Sequence, residues 1–202
     1  MNGQQILRAL QGKLSQHNMH FIGCLSADKV ALLDFRNKDD KPIAFIANVL
    51  SAEKNHLMGH WVGYYVVGQC IYFFDSFSLN PRLYSQHFLH FLNKHKEFTI
   101  FKLAFRLQSD QSLVCGAYCI QFIYLCDHVG IVKTSEFMRK NYDTSNYVRN
   151  DRKVLSYAYE KFKMPPCRST FCSQGLTYKM CIKLCAKHRH HRHCAHMLNI
   201  SD

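Results

Sequence analysis

Apolar positions recur along the chain with two different periods. Ile6, Leu7, Leu10 and Leu14 are spaced for one face of a helix over Gln4 to Leu14. Phe21 to Leu25, Ala31 to Phe35 and Ile43 to Leu50 are short, apolar and partly β-branched, and predict strands. From Trp61 to Phe74, two runs rich in Val, Tyr, Ile and Phe flank Gly68-Gln69, where a leading glycine suits a type II′ hairpin. Around that turn Val67 faces Cys70 and Val62 faces Asp75. Both faces of this hairpin are apolar, which predicts a central position with cover on each side. Asn80 to Phe91 then reads as a helix, Phe98 to Leu107 as a strand, and Cys115 to His128 as an apolar helix through the core. Tyr147 to Phe162 is a last amphipathic helix, ended by Met164-Pro165-Pro166 because proline cannot continue the hydrogen-bond ladder. These elements imply an α+β domain: a central mixed or antiparallel sheet packed against helices, with Cys115 at the N-terminus of a buried central helix.

The chain has 202 residues, 48% of them hydrophobic and 13% aromatic, enough for one core and incompatible with wholesale disorder. No uninterrupted apolar run approaches the roughly 20 residues of a spanning helix, so no membrane association is expected. Met1 to Leu25 lacks the apolar stretch of a secretory signal. Net charge is +12, and +7 of it falls in Lys161 to Asp202. The expected organisation is a globular domain over 1–163 and a basic, Cys- and His-rich segment over 164–202 packed on it. Charge of this strength favours polyanions such as nucleic acid. Ten cysteines without a secretory signal, several in apolar surroundings (Cys24, Cys70, Cys119, Cys126), point to reduced thiols in an intracellular setting.

His60, two residues before Val62, shares a hairpin face with Asp75 on a diagonal that side chains can bridge. A carboxylate there fixes the imidazole tautomer and stabilises its charged form. By itself this is better explained by an incidental surface ion pair. Gln108-Ser109-Asp110-Gln111-Ser112-Leu113-Val114-Cys115-Gly116 changes the balance: a polar loop delivers Cys115 to the first turn of an apolar helix. There the free amides and the helix dipole favour thiolate. A nearby His60 would activate that thiol. The Cys115 amide and a carboxamide from Gln108 or Gln111 would supply oxyanion donors.

His60-Trp61, Tyr72-Phe73-Phe74-Asp75-Ser76-Phe77 and Gln108 seven residues before Cys115-Gly116 resemble the adenovirus-type (adenain-like) cysteine endopeptidases, of the clan that includes the SUMO-specific proteases. The resemblance spans 20–162. His20-Phe21-Ile22-Gly23 is similar to an early Phe-Leu-Gly segment, Pro42 to Val49 to an Ala-Ile-Val-Asn strand, and Leu155 to Glu160 to the last large helix. It implies a thiol endopeptidase in which Cys115 is the nucleophile and His60 the base. Asp75 orients His60, and Gln108 is the side-chain oxyanion donor with Gln111 as its rival; Trp61 shapes the site. It further implies a viral enzyme that matures capsid and core precursors at glycine-containing sites, in the host nucleus and the virion, as a monomer. DNA would stimulate it.

Two features depart from the family. Asp75 stands where the adenovirus enzymes carry Glu, and Asp75-Ser76 is closer to the SUMO-protease branch; a ubiquitin- or SUMO-type isopeptidase is therefore the alternative. Lys94 to Arg106 lacks the cysteine that would pair with a covalent peptide activator, which leaves a non-covalent viral peptide. The chemistry itself needs no cofactor. In the C-terminal segment, Cys167, Cys172, Cys181, Cys185, His188, His190, His191, His193, Cys194 and His196 follow no tight zinc template. Zinc is the less favoured reading there, and phosphate contacts from Lys179, Lys183, Lys187, Arg189 and Arg192 the favoured one. A non-catalytic DNA- or zinc-binding protein on a protease scaffold is the third class.

Overall fold

A computed structural model describes residues 1–15, 17–36, 40–54, 59–110 and 112–163. The C-terminal segment, with its potential zinc ligands, and Gln111 lie outside the described residues. Five strands form one mixed sheet in sequence order: β1 (His20–Leu25), β2 (Ile43–Asn48), β3 (Trp61–Val67), β4 (Cys70–Phe74) and β5 (Thr99–Lys102). The β2–β3 and β3–β4 pairs are antiparallel, and the outer β1–β2 and β4–β5 pairs parallel. The β3–β4 hairpin has the expected register, Val67 opposite Cys70 and Gly63 opposite Phe74. Gly68 alone of the two turn residues has positive φ (53°), as a type II′ turn requires and a type I′ turn does not.

The hairpin is central and covered on both sides. One face carries Ala44, Ile46, Tyr65 and Phe74 against α1 (Gly3–Leu10), α4 (Cys115–Asn141) and α5 (Tyr147–Phe162). The other carries Phe45, Tyr64, Val66 and Phe73 against α2 (Ala27–Leu32) and α3 (Gln86–Lys94). Helix α4 lies close on β3 because Gly63 has no side chain: a Cβ there would stand 2.8 Å from Phe122. By length and apolarity α4 qualifies as a spanning helix, contrary to the reading of the sequence alone. Its apolar part is nonetheless 67% buried inside the domain, as befits a core helix. Its regular course breaks at Gly130 (φ 76°, ψ 168°), two residues past the predicted end.

Three expected elements need correction. Ala31 to Phe35 is not a strand: Ala27 and Val30, three apart, turn one face inward as α2, while Leu32 is exposed. The single helix expected over Asn80 to Phe91 is a 3-10 turn (Pro81–Leu83) followed by α3, divided by the extended backbone of Ser85. Strand β5 stops at Lys102. Beyond it the chain runs as a loop bound to the end of β4, with the Leu107 and Gln108 amides both donating to the Ser76 carbonyl.

Candidate active site

The hairpin ends at an acid and a base. His60 Nε2 lies 2.6 Å from Asp75 Oδ1, with the Asp75 side chain fully buried. Asp75 makes its own cradle. Oδ1 also accepts from the Phe77 amide (3.0 Å), and Oδ2 accepts from the Leu79 amide (2.7 Å) and the Tyr84 hydroxyl (2.6 Å). The loop that follows is held in a left-handed conformation at Ser78 (φ 58°). Burial raises the carboxyl's pKa, but the His60 hydrogen bond and charge, the Tyr84 hydroxyl and the Phe77 amide outweigh it. The net shift is downward.

With Nε2 engaged by Asp75, His60 has Nδ1 left for Cys115, and the two side chains are within hydrogen-bonding reach. Phe77 and Tyr84 lie against the imidazole, with ring centroids at 4.9 Å and 5.8 Å. Burial disfavours the imidazolium, yet Asp75 and Cys115 together lift its pKa to about 9. Burial likewise opposes the Cys115 thiolate. The hydrogen bond and charge of His60 and the Trp61 backbone amide reverse that, so the thiol is more acidic than an ordinary cysteine. The two shifts run in opposite directions, and each lowers the cost of separating charge between thiol and imidazole. Burial pushes Cys24 up to about 12 and raises Cys119 and Cys126 as well, so among the described residues Cys115 is the one thiol that shifts toward thiolate.

Helix α4 has no side-chain cap at Val114, leaving its first amides free to face a developing negative charge. Gly116 allows the side chains of Met1 and Ile6 to close over the helix start; a Cβ there would meet Met1 Sδ at 2.8 Å. Trp61 is buried, donates from its indole to the Met1 carbonyl (3.0 Å), and serves the site through its backbone. Gln108 is fully buried. Its Oε1 accepts from the Ser76 hydroxyl (2.6 Å), and its Nε2 donates one hydrogen to the Ser112 carbonyl (2.7 Å), which leaves one N–H of the carboxamide. Among the described residues no group of three or more His, Cys, Asp or Glu is placed to hold a metal.

Reading the sequence missed Tyr84. Its place in a supposed continuous helix concealed that the chain turns at Ser85 and brings the phenol back to Asp75. A tyrosine nine residues after a candidate acid was the one available signal.

No protein-family model matches the sequence, and no curated protein matches it. Among solved structures the chain is similar to "ASFV pS273R protease", with a TM-score of 0.52 and 15% identity over 80% of this chain and 66% of that one. The fold is a protease fold. A second similar structure, a "de-sumoylating protease", has a TM-score of 0.45 and 12% identity, over 91% of this chain and 80% of that one. This chain thus spans about two thirds of the length of the ASFV protease. What the fold contributes is placement: the end of a hairpin, the loop after the last strand and the start of the central helix meet at one end of the central strands.

Proposed function

We propose that the protein is a cysteine endopeptidase of the adenovirus-type and SUMO-protease clan. The observation that carries this reading is the His60–Asp75 hydrogen bond of 2.6 Å beside a thiol made acidic by that same imidazole. Cys115 Sγ attacks the scissile carbonyl carbon, and the carbonyl π electrons move onto oxygen. The oxyanion takes hydrogen bonds from the Cys115 amide and from the remaining N–H of Gln108. His60, held by Asp75, gives its proton to the leaving amine as the C–N bond breaks. It then takes a proton from the water that hydrolyses the thioester and returns Cys115 to the free state.

The resemblance to the adenovirus-type endopeptidases implies a substrate with glycine at the cleavage site. Virion precursor proteins in the host nucleus and the particle fit that class, with the basic chain stimulated by DNA. Asp75-Ser76 supports the second reading, a ubiquitin- or SUMO-type isopeptidase. The deciding assay presents a glycine-rich capsid-type peptide beside ubiquitin and SUMO C-terminal fluorogenic substrates, with and without DNA. Thiol-dependent cleavage that disappears in Cys115→Ala supports a protease, and the preferred substrate chooses between the two readings. Loss of rate on nuclease treatment or added salt supports the DNA role. Wild type that cleaves none of these under any condition refutes the enzyme reading and favours a binding protein.

A further inference from the structure

Gln108 lies in an irregular loop, yet an oxyanion donor must be held to within a fraction of an ångström. On one side Ser76 fixes it through its carbonyl and hydroxyl. The opposite side has a separate anchor. Asp151, near the start of α5, accepts through Oδ2 from both the Ser109 amide (3.2 Å) and the Ser109 hydroxyl (2.5 Å). Its Oδ1 accepts from the Tyr118 hydroxyl (3.0 Å), one turn along α4 from Cys115. The same hydroxyl lies 3.1 Å from the Leu107 carbonyl, so its one hydrogen is shared between that oxygen and Asp151, and Asn150 Nδ2 donates to the Leu107 carbonyl as well (3.2 Å). The residues immediately before and after Gln108 are thus tied to the same two helices.

Asp151 is only 3% exposed and makes no ion pair among the described residues; neutral donors alone satisfy it. A buried carboxylate of that kind is an expensive way to hold a core together, since an apolar side chain would fill the space without a desolvation penalty. Burial raises its pKa even against the Ser109 and Tyr118 donors, a sign of how unfavourable the site is for charge.

We propose that Asp151 is a positioning residue for the oxyanion donor: it locks the loop on both flanks of Gln108 to α4 and α5, and so fixes the place of the carboxamide. This rests on the protease reading. Asp151 touches neither substrate nor thiol and acts through Gln108 alone. Asn in its place has one acceptor oxygen where the carboxylate has two and carries no charge, so it cannot accept from Ser109 and from Tyr118 at once, and the loop loosens while the helices stay packed.

The test compares two reactions of one thiol. Alkylation of Cys115 by iodoacetamide needs the thiolate–imidazolium pair but develops no oxyanion. Cleavage of a Gly-Gly aminomethylcoumarin peptide needs both. For Asp151→Asn the expected result is a kcat at least tenfold lower with KM within about twofold, and an alkylation rate and alkylation pH profile unchanged. Ser109→Ala, which removes one of the three bonds and leaves the carboxylate, gives a smaller fall in kcat of the same kind. Combining Asp151→Asn with Gln108→Ala costs no more than Gln108→Ala alone. Wild-type kcat in Asp151→Asn overturns the proposal, as does a loss of alkylation in step with cleavage or a fully additive double variant. A misfolded Asp151→Asn shifts the decision to Ser109→Ala, where wild-type kcat is the refuting result. Wild-type protein that alkylates but cleaves none of the substrates overturns the protease reading, and this proposal with it.

Discussion

Tyr84 donates its hydroxyl to Oδ2 of Asp75 at 2.6 Å, the carboxylate oxygen that His60 does not use. The phenol and the imidazole are thereby separated on the two oxygens of one group. His60 and the Phe77 amide engage Oδ1, while Tyr84 and the Leu79 amide engage Oδ2. The carboxylate cannot rotate without giving up several charge-assisted bonds at once.

Tyr84→Phe keeps the ring against His60 and removes only the donor. It should lower stability by about 1–3 kcal/mol, the range for a hydrogen bond to a charged group, and reduce kcat/KM modestly. Denaturant unfolding with an unchanged m-value, alongside steady-state kinetics, checks both. Wild-type behaviour in both measurements would show that Oδ2 needs no phenol.

Asp75→Asn should lower kcat/KM by roughly 10²–10⁴, as loss of an orienting carboxylate does where an imidazole must carry charge. Asp75→Glu tests length. The acceptors for the Phe77 and Leu79 amides are set by a short side chain two and four residues away. An added methylene should therefore cost about 1–3 kcal/mol of stability. Thermal melts of both variants decide whether the shorter acid is built into this hairpin.

The pH dependence follows from opposite shifts. Activity should rise through an acid limb below the ordinary thiol pKa of 9.0, as Cys115 ionises, and fall through an alkaline limb near pH 9, as His60 loses its proton. The His60 pKa is raised on folding. Its stabilisation is present in full below the unfolded value of 6.5 and is lost as pH climbs through about 9. The Asp75 pKa is lowered, so its contribution is present above 3.8 and is lost as pH falls through the folded value. Cys115→Ala removes the neighbouring thiolate and should bring the imidazole pKa down from about 9. NMR titration of the His60 ring protons measures it, and an unmoved value would show that Sγ and imidazole are not coupled.

Gly63→Ala drives a methyl against Phe122 at 2.8 Å, between the central strand and the central helix. Overpacking of this kind costs about 1–3 kcal/mol. The expected sign is a lower unfolding midpoint with the rate per folded molecule preserved.

Much of the fold was legible because the hairpin is a local object. The two-residue turn sets its register by arithmetic, and that register carries His60 and Asp75 to the same end. The start of α4 was legible for a similar reason: a polar loop gives way abruptly to an apolar run at Cys115. Periodicity failed where burial is one-sided over a single turn. In α2 only Ala27 and Val30 face the core, too few positions to distinguish a helix from a strand. Tyr84 and Asp151 were hidden for another reason. Each acts on a residue brought near by tertiary packing, and neither spacing nor residue type announces a hydroxyl or carboxylate whose whole purpose is a partner elsewhere. The anchoring of Gln108 by Ser76, thirty-two residues earlier, was hidden in the same way.

Acid and base sit fifteen residues apart on one hairpin, whereas the sulfur arrives from forty residues further on, carried by a helix that must first dock against Gly63. A growing or half-collapsed chain consequently holds an inert thiol. Only with α4 packed on β3 does the sulfur meet its imidazole, so in the proposed protease the reactive pair belongs to the folded domain and not to either segment by itself.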